Sequence, residues 1–343
     1  MLGQLNKLYQ GQSLSLAESE DIFSSIFAGQ LSDIELSSLV TALKVKGESG
    51  SEVAGAAKAM LSKAAPFERP EGLIGEIVGT GGDGYNTINI STITAIMGAA
   101  LGLTIAKHGN RAVSSKTGAS DLLKALGYNI EAPSEVLSRC LKQEGFAFMF
   151  AQKFHQAMRF AAPVRASLKT RTIFNLLGPL TNPAHPDYEL MGVYDKTLLP
   201  MMAETLKLTG VKRALCVNGS GLDEIANFGT THYSRLYEDG HIENGVLNAA
   251  SFGLDREYKL SDIVGGSCEE NAEVARTILA GHGTDAQNSA IGVNLSALLN
   301  LAGRVDSFEE GFTLAIDALK SGMGIHKLER LIALSNETVK EAA

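Results

Sequence analysis

Between Asp83 and Asp121 the chain has no Asp and no Glu, yet it carries Lys107, Arg111 and Lys116. This acid-free window is entered through a glycine turn, Gly79-Thr80-Gly81-Gly82-Asp83-Gly84. It continues through Asn89-Ile90-Ser91-Thr92 to Lys107-His108-Gly109-Asn110-Arg111. The protein as a whole is acidic, with 30 Lys+Arg against 38 Asp+Glu and a net charge of -8. A cationic, hydroxyl-rich, glycine-rich stretch in such a chain suits a small polyanion. Amides bared by glycine and the positive end of a helix stabilise phosphate oxygens. Thr87, Asn89, Ser91, Thr92, Ser114 and Ser115 add donors, and Asp83 suits a sugar hydroxyl. Any one of these hydroxyls could be no more than a helix cap. Thr87, Asn89, Ser91 and Thr92 together, beside the glycines and opposite Lys107, favour a phosphate or pyrophosphate site.

The elements that must position these residues follow from periodicity. The first part reads helical: Ser15 and Glu18 form a capping-box pattern, Ile22, Ile26 and Phe27 repeat at helical spacing, and Ile34, Leu36, Leu39, Val40 and Leu43 continue it. An Ala-rich helix over 51–64 precedes Pro66 and Pro70, which mark a hinge. From residue 73 short apolar runs alternate with helical segments: strand 74–78, helix 91–101, strand 103–106 ending at Lys107, helix 122–126, helix 134–144, strand 146–150, then strand 190–194, helix 198–208 and strand 213–217. A hairpin is expected over 233–246, and helices over 271–280, 286–301 and 308–319. The alternation implies a mostly parallel central sheet covered on both faces, an α/β fold whose ligands sit beyond the carboxyl ends of the strands. Pro163, Pro179, Pro183 and Pro186 make 161–187 a convoluted connection, one that could run back to the helical N-terminal part.

Several function classes are disfavoured. Gly79-x-Gly81-x-x-Gly84 matches the dinucleotide fingerprint formally, but the acid expected about 20 residues on is missing and Lys107 stands there. Lys116-Thr117 lacks the glycines of a Walker loop. The absence of Trp, 6% aromatics and the negative charge argue against nucleic acid. Cys140, Cys216 and Cys268 form no CxxC pair, so neither a zinc site nor a redox pair is expected. The N-terminus lacks a basic-then-apolar leader pattern and no apolar run spans a bilayer, so a cytoplasmic location is expected.

GTGGDGYNTINIST (79–92) and KHGNRAVSSKTGASD (107–121) closely resemble the two signature segments of the anthranilate phosphoribosyltransferases. The likeness continues through Pro163-Val164-Arg165, through Arg171-Thr172-Ile173-Phe174-Asn175-Leu176-Leu177-Gly178-Pro179-Leu180-Thr181-Asn182-Pro183 and through Gly221-Leu222-Asp223-Glu224. It spans nearly the whole chain in order, and a fused amidotransferase portion is not expected. The resemblance implies transfer of phosphoribosyl from phosphoribosyl pyrophosphate to anthranilate in tryptophan synthesis. It also implies a small helical domain (1–65, joined by part of 161–187), a larger α/β domain (70–343) and a homodimer formed through the helical part. By the same resemblance, Gly79, Gly82, Asp83, Thr87, Asn89, Ile90, Ser91, Thr92, Lys107, His108, Gly109, Asn110, Arg111, Ala112, Val113, Ser114, Ser115 and position 119 would bind phosphoribosyl pyrophosphate. Gly79, Asn110 and Arg165 would hold anthranilate, and Ser91, Asp223 and Glu224 would bind Mg²⁺. Two positions depart from the family pattern: Ala119, where a serine is common, and Gln156 in His155-Gln156-Ala157-Met158, where a proline is usual.

These residues suit the implied chemistry. Pyrophosphate leaving C1 of the ribose needs its charge neutralised, which Mg²⁺ held by Asp223 and Glu224 provides. An isolated pair of adjacent acids would otherwise read as a solvated turn. The amine of anthranilate is already a free base at neutral pH, so positioning dominates over base catalysis. Arg165 offers a donor fork to its carboxylate, although a surface salt bridge is the plainer reading of that arginine alone. Asn110 could contact the carboxylate or the amine. His108, the third catalytic candidate, reads equally as aromatic wall, proton acceptor or packing residue, and His155 has weaker support. Two competing functions remain: a nucleoside phosphorylase on the same fold, against which Arg165, Asn110 and the Asp223-Glu224 pair speak, and a nucleic-acid-binding paralogue, which the net charge opposes.

Overall fold

The computed structural model describes residues 2–111 and 117–337. Strands β1 (Gly75–Gly79), β2 (Ile105–Gly109), β3 (Phe146–Phe150), β4 (Tyr188–Gly192), β5 (Arg213–Gly219), β6 (Thr231–Leu236) and β7 (Ile242–Leu247) build one sheet in the order β3-β2-β1-β4-β5-β6-β7. β1 to β5 are parallel, and β6 and β7 extend the sheet as an antiparallel hairpin. The connection order reverses between β1 and β4. In open α/β sheets that switch point is where a crevice opens beyond the carboxyl ends. The glycine turn leaves β1 there.

Strand alternation assigns each side chain to a face. Ile77, Ile105, Leu190, Leu215 and Val217 join the core formed with helices Ile90–Ala100, Asp285–Leu301 and Phe308–Lys320. Ala106, Ala147 and Met149 pack on helix Ser134–Glu144. Met191, Ala214 and Cys216 share a core with helix Leu199–Thr209, with the N-terminal helices and with Val164, Phe174 and Leu177 of the 161–187 connection. Lys107 and His108, being consecutive on β2, therefore point to opposite faces.

β1 and β2 pair only at Gly75↔Ile105 and then part. Buried backbone groups freed by this splay must find other partners. Lys107 Nζ donates to Ile77 O (2.8 Å), Asn182 Nδ2 to Ala106 O (2.7 Å), and His108 N to Glu76 Oε1 (2.9 Å). Side chains thus complete a ladder that the backbones leave open, which accounts for a lysine and a glutamate in the middle of an apolar sheet.

The N-terminal helices Leu16–Phe27, Asp33–Lys46 and Gly50–Leu61 each begin with a complete capping box, at Ser15/Glu18, Ser32/Glu35 and Ser49/Glu52. Such caps contribute about 1 kcal/mol each. Some expectations shift. The strand expected over 103–106 is Ile105–Gly109, so Lys107 lies mid-strand and not at its end. The reason is local: Leu103 N donates back to Gly98 O (3.0 Å), closing the preceding helix around Gly102 at φ +83°. The helix expected over 122–126 starts at Ala119, because the Gly118 N–H is capped by Asp121 Oδ2 (3.0 Å). Ile34 is 82% exposed, not part of the core. Helix Met323–Ser335 lies beyond the expected set.

Candidate active site

The residues expected to bind the phosphoribosyl donor gather at the β1/β4 switch point. Thr80 N donates to Gly192 O (2.9 Å), and Tyr194 N donates to Thr80 Oγ1 (3.0 Å), so the turn is pinned to the end of β4. From the loop after β5, Asp223 reaches across and accepts from Gly81 N (2.7 Å). A Cβ on Gly79 or on Gly192 would collide with Asp223, so glycine at both strand ends is what admits the acid. Glu224 Oε1 accepts from Ser91 N (3.1 Å) in the first turn of the Ile90–Ala100 helix. Lys107 Nζ donates to Ser91 Oγ (3.2 Å) from below. Glycine turn, acid pair, helix N-terminus and Lys107, expected to act together, are joined in a chain by these hydrogen bonds.

The electrostatics are tense. Burial pushes Asp223 up to about 7, with Asp83 beside it adding repulsion. Burial and the neighbouring Asp223 push Glu224 up to about 8. Lys107 is 2% exposed, and burial lowers it while Glu224 pulls the other way. A divalent cation relieves carboxylates crowded in this way. Among the described residues no three His, Cys, Asp or Glu side chains form a preformed metal cage. The adjacent Asp223-Glu224 pair fits Mg²⁺, which keeps waters and takes one or two carboxylates together with phosphate oxygens. Asp83 also accepts from Tyr85 N (3.0 Å), so its carboxylate shapes the turn as well as facing Asp223.

The other face carries the acceptor candidates. His108 Nδ1 bonds Gly178 O (2.8 Å), and His155 Nε2 bonds Thr181 O (2.7 Å). A carbonyl partner requires the ring nitrogen to donate, which fixes the tautomer of each neutral ring. Their rings meet edge to face at 5.2 Å. Burial pulls His108 down to about 3 and His155 to about 4. At neutral pH both are uncharged and weakly basic, which disfavours the proton-acceptor reading of His108 and leaves aromatic wall and packing residue open. Asn110 is exposed; its Oδ1 accepts from Arg111 N (2.8 Å) and Gln152 Nε2 (3.1 Å). Arg165 sits on helix Ala162–Leu168 with its guanidinium 5.7 Å from the Phe174 ring centre. Among the described residues it makes no hydrogen bond to the glycine turn.

Several remaining candidates have structural partners. Thr87 bridges to Val264, and Ile88 N donates to Ile263 O (2.9 Å), which ties the loop before the helix to 263–265. Asn89 donates to Thr117 O (3.1 Å) and accepts from Asn271 Nδ2 (3.0 Å), so its side chain ties the start of the helix to residues 117 and 271. Ile90 and Thr92 are buried in the first helical turn. Gly109 ends β2, Arg111 is exposed beside Phe150, and Ala119 opens its helix. Ala112, Val113, Ser114 and Ser115 lie outside the described residues. Sequence reasoning gave no role to Glu76, whose only signal was a lone acid in an apolar strand, or to Arg171 and Tyr194, which flank the turn.

A model of the glycosyl transferase family helical bundle domain matches residues 4–64, and one of that family's a/b domain matches residues 72–325. The anthranilate phosphoribosyltransferase of Tolumonas auensis is 50% identical over 337 residues, 98% of this chain and 100% of its own. The chain belongs to the anthranilate phosphoribosyltransferase family. The anthranilate phosphoribosyltransferase of Thermus thermophilus superposes with a TM-score of 0.91 at 39% identity, covering 97% of this chain and 99% of that one. The anthranilate phosphoribosyltransferase of Saccharomyces cerevisiae, solved in complex with PRPP and Mg, matches with a TM-score of 0.87 at 30% identity over 97% of each chain.

Proposed function

We propose that this chain transfers the phosphoribosyl group of 5-phosphoribosyl 1-pyrophosphate (PRPP) to the amine of anthranilate, releasing pyrophosphate, as a step of tryptophan biosynthesis. One observation carries the reading. The glycine turn and the helix N-terminus meet the Asp223-Glu224 pair at the β1/β4 switch point, with Lys107 beneath. Bared amides, Lys107 and hydroxyls hold the donor's phosphates. Magnesium is the cofactor; Asp223, Glu224 and Ser91 would hold it, and when bound it would supply charge neutralisation for the departing pyrophosphate.

On the opposite face of β2, Arg165 and Asn110 orient anthranilate, and His108 forms part of the wall. The neutral, weakly basic imidazole supports this assignment, since the substrate amine needs orientation more than deprotonation. The helical unit (1–65 with part of 161–187) and the α/β unit (70–343) close on the hinges at 66–70 and 161–187, carrying Arg165 towards the turn and excluding water. The packing of Phe174 on Phe23, 6.0 Å between ring centres, supports movement of Arg165 with the N-terminal helices. Small-angle scattering tests this: an unchanged profile with both substrates bound removes the closure.

The chain pairs as a homodimer through its helical part. Tyr9, Ile34 and Val45, exposed at 60%, 82% and 83%, supply an apolar surface there. A cytoplasmic location is part of this reading; among the described residues no helix is long and apolar enough to cross a membrane. The deciding experiment is loss of anthranilate fluorescence on mixing protein, Mg²⁺ and PRPP. No loss at saturating concentrations rejects the transferase reading.

A further inference from the structure

The glycine turn is braced from a direction the donor site does not use. The Arg171 guanidinium donates to Gly82 O and lies over the Tyr194 ring, 3.8 Å from its centre. Tyr194 is itself tied to the turn through the bond from its N–H to Thr80 Oγ1 (3.0 Å). Gly81 and Gly82 hold φ of +69° and +80°, a geometry open to many alternatives when glycine supplies it. A Cβ on Gly82 would press on the guanidinium, so the contact is close as well as polar. Arg171 follows Arg165 by six residues on the connection that packs against the N-terminal helices.

A trans peptide points its C=O and N–H in opposite directions. Holding the Gly82 carbonyl on Arg171 therefore turns the Asp83 N–H to the other side of the turn. Asp223 meanwhile fixes the neighbouring Gly81 N–H. We propose that Arg171, seated on Tyr194, is a positioning residue for the donor: it locks the Gly82–Asp83 peptide so that the Asp83 amide is offered to a phosphate oxygen of PRPP. The inference rests on the transferase reading and deepens it. Arg171 acts on donor affinity through the backbone and does not touch anthranilate. A planar guanidinium is required, because it alone stacks on the ring face while its edge donates to the carbonyl.

The test is calorimetric titration of Mg²⁺-PRPP into the full-length protein without anthranilate, together with steady-state kinetics. Arg171→Ala is expected to weaken donor binding and raise the KM for PRPP by about ten- to a hundredfold, the range for losing a charged hydrogen bond. The KM for anthranilate and kcat at saturating PRPP stay within about threefold. Arg171→Lys recovers only a minor part of the loss; full recovery would assign the effect to charge alone and overturn the positioning role. Should Arg171→Ala fail to fold, Tyr194→Leu carries the test, with about three- to tenfold weaker donor binding expected from loss of the stacking platform. Unchanged donor affinity in Arg171→Ala, or in Tyr194→Leu, overturns the inference while leaving the transferase reading intact. Wild-type protein that neither binds PRPP nor consumes anthranilate overturns both.

Discussion

Two pairs of acids belong to this sheet, one half-buried at its carboxyl end and one fully buried within it, and they serve different ends. Asp223 and Glu224 lie beyond the strand ends and accept from Gly81 N and Ser91 N. Glu76 and Glu189 lie directly opposite each other on β1 and β4, 0% and 1% exposed. Burial pushes Glu76 up to about 8, and burial together with Glu76 raises Glu189 well above the ordinary range. The same perturbation thus marks both pairs. What separates them is surroundings. The first pair faces the glycine turn, where a cation and phosphates can approach. The second is enclosed by Met191, Ala214 and Cys216 on one side and the 161–187 connection on the other, and Glu76 spends its Oε1 on the His108 N–H. A raised carboxyl pKa therefore identifies burial, and only its exposure to a crevice identifies a site.

Mutations can break the comparison. Asp223→Asn with Glu224→Gln is expected to lower turnover by about a thousandfold or more in the fluorescence assay, as loss of metal-borne charge stabilisation does. Glu189→Gln is expected to leave turnover within about threefold. Equal losses from the two pairs would erase the distinction. Next in size is Arg165→Ala, expected to raise the KM for anthranilate about thirty- to a hundredfold through loss of a charge-assisted fork, with the KM for PRPP nearly unchanged. Unaltered anthranilate kinetics would withdraw that role.

Smaller effects concern stability. An acid raised on folding binds more protons in the native than in the unfolded state. Its stabilising share is present below the ordinary carboxylate pKa and is lost as pH rises towards the folded value. For Glu76 that window runs from 4.5 to about 8. The groups around the pair are Cys216, His108 with its buried neutral ring, and Lys107 on the opposite face. Glu189→Gln should stabilise the protein by about 2 kcal/mol at pH 8 and by less at pH 5. Thermal melts at the two pH values check this, and a lower melting temperature at pH 8 would contradict it. The smallest expected change is in Ala119→Ser, which restores one hydroxyl at a helix start and should lower the KM for PRPP by no more than about threefold.

Much of this was legible beforehand because it is local. The glycine turn, the strand of Phe146–Phe150 and the helix of Ser134–Glu144 follow from short-range pattern, and the capping box at Ser15 was readable from spacing alone. The misplacement of Lys107 shows the limit. Leu103 looks like a strand residue, but its N–H closes a helix, and that preference is set by Gly102 rather than by hydropathy. Ile34 shows another: helical periodicity places it on an apolar face without saying whether this chain covers that face.

The sequence by itself determined the chemistry available: amides bared by glycine, an acid-free cationic window, an adjacent acid pair, and a resemblance specific enough to imply the substrates. Only the tertiary structure decided which of these groups meet. Asp223 reaches Gly81 from 142 residues away because glycines at Gly79 and Gly192 leave room for it. Lys107 and His108 serve opposite faces because a strand alternates. Glu76 is enlisted to mend a splayed ladder because a buried N–H must have a partner. Contacts of that range depend on chain topology, and spacing along the sequence carries no measure of them.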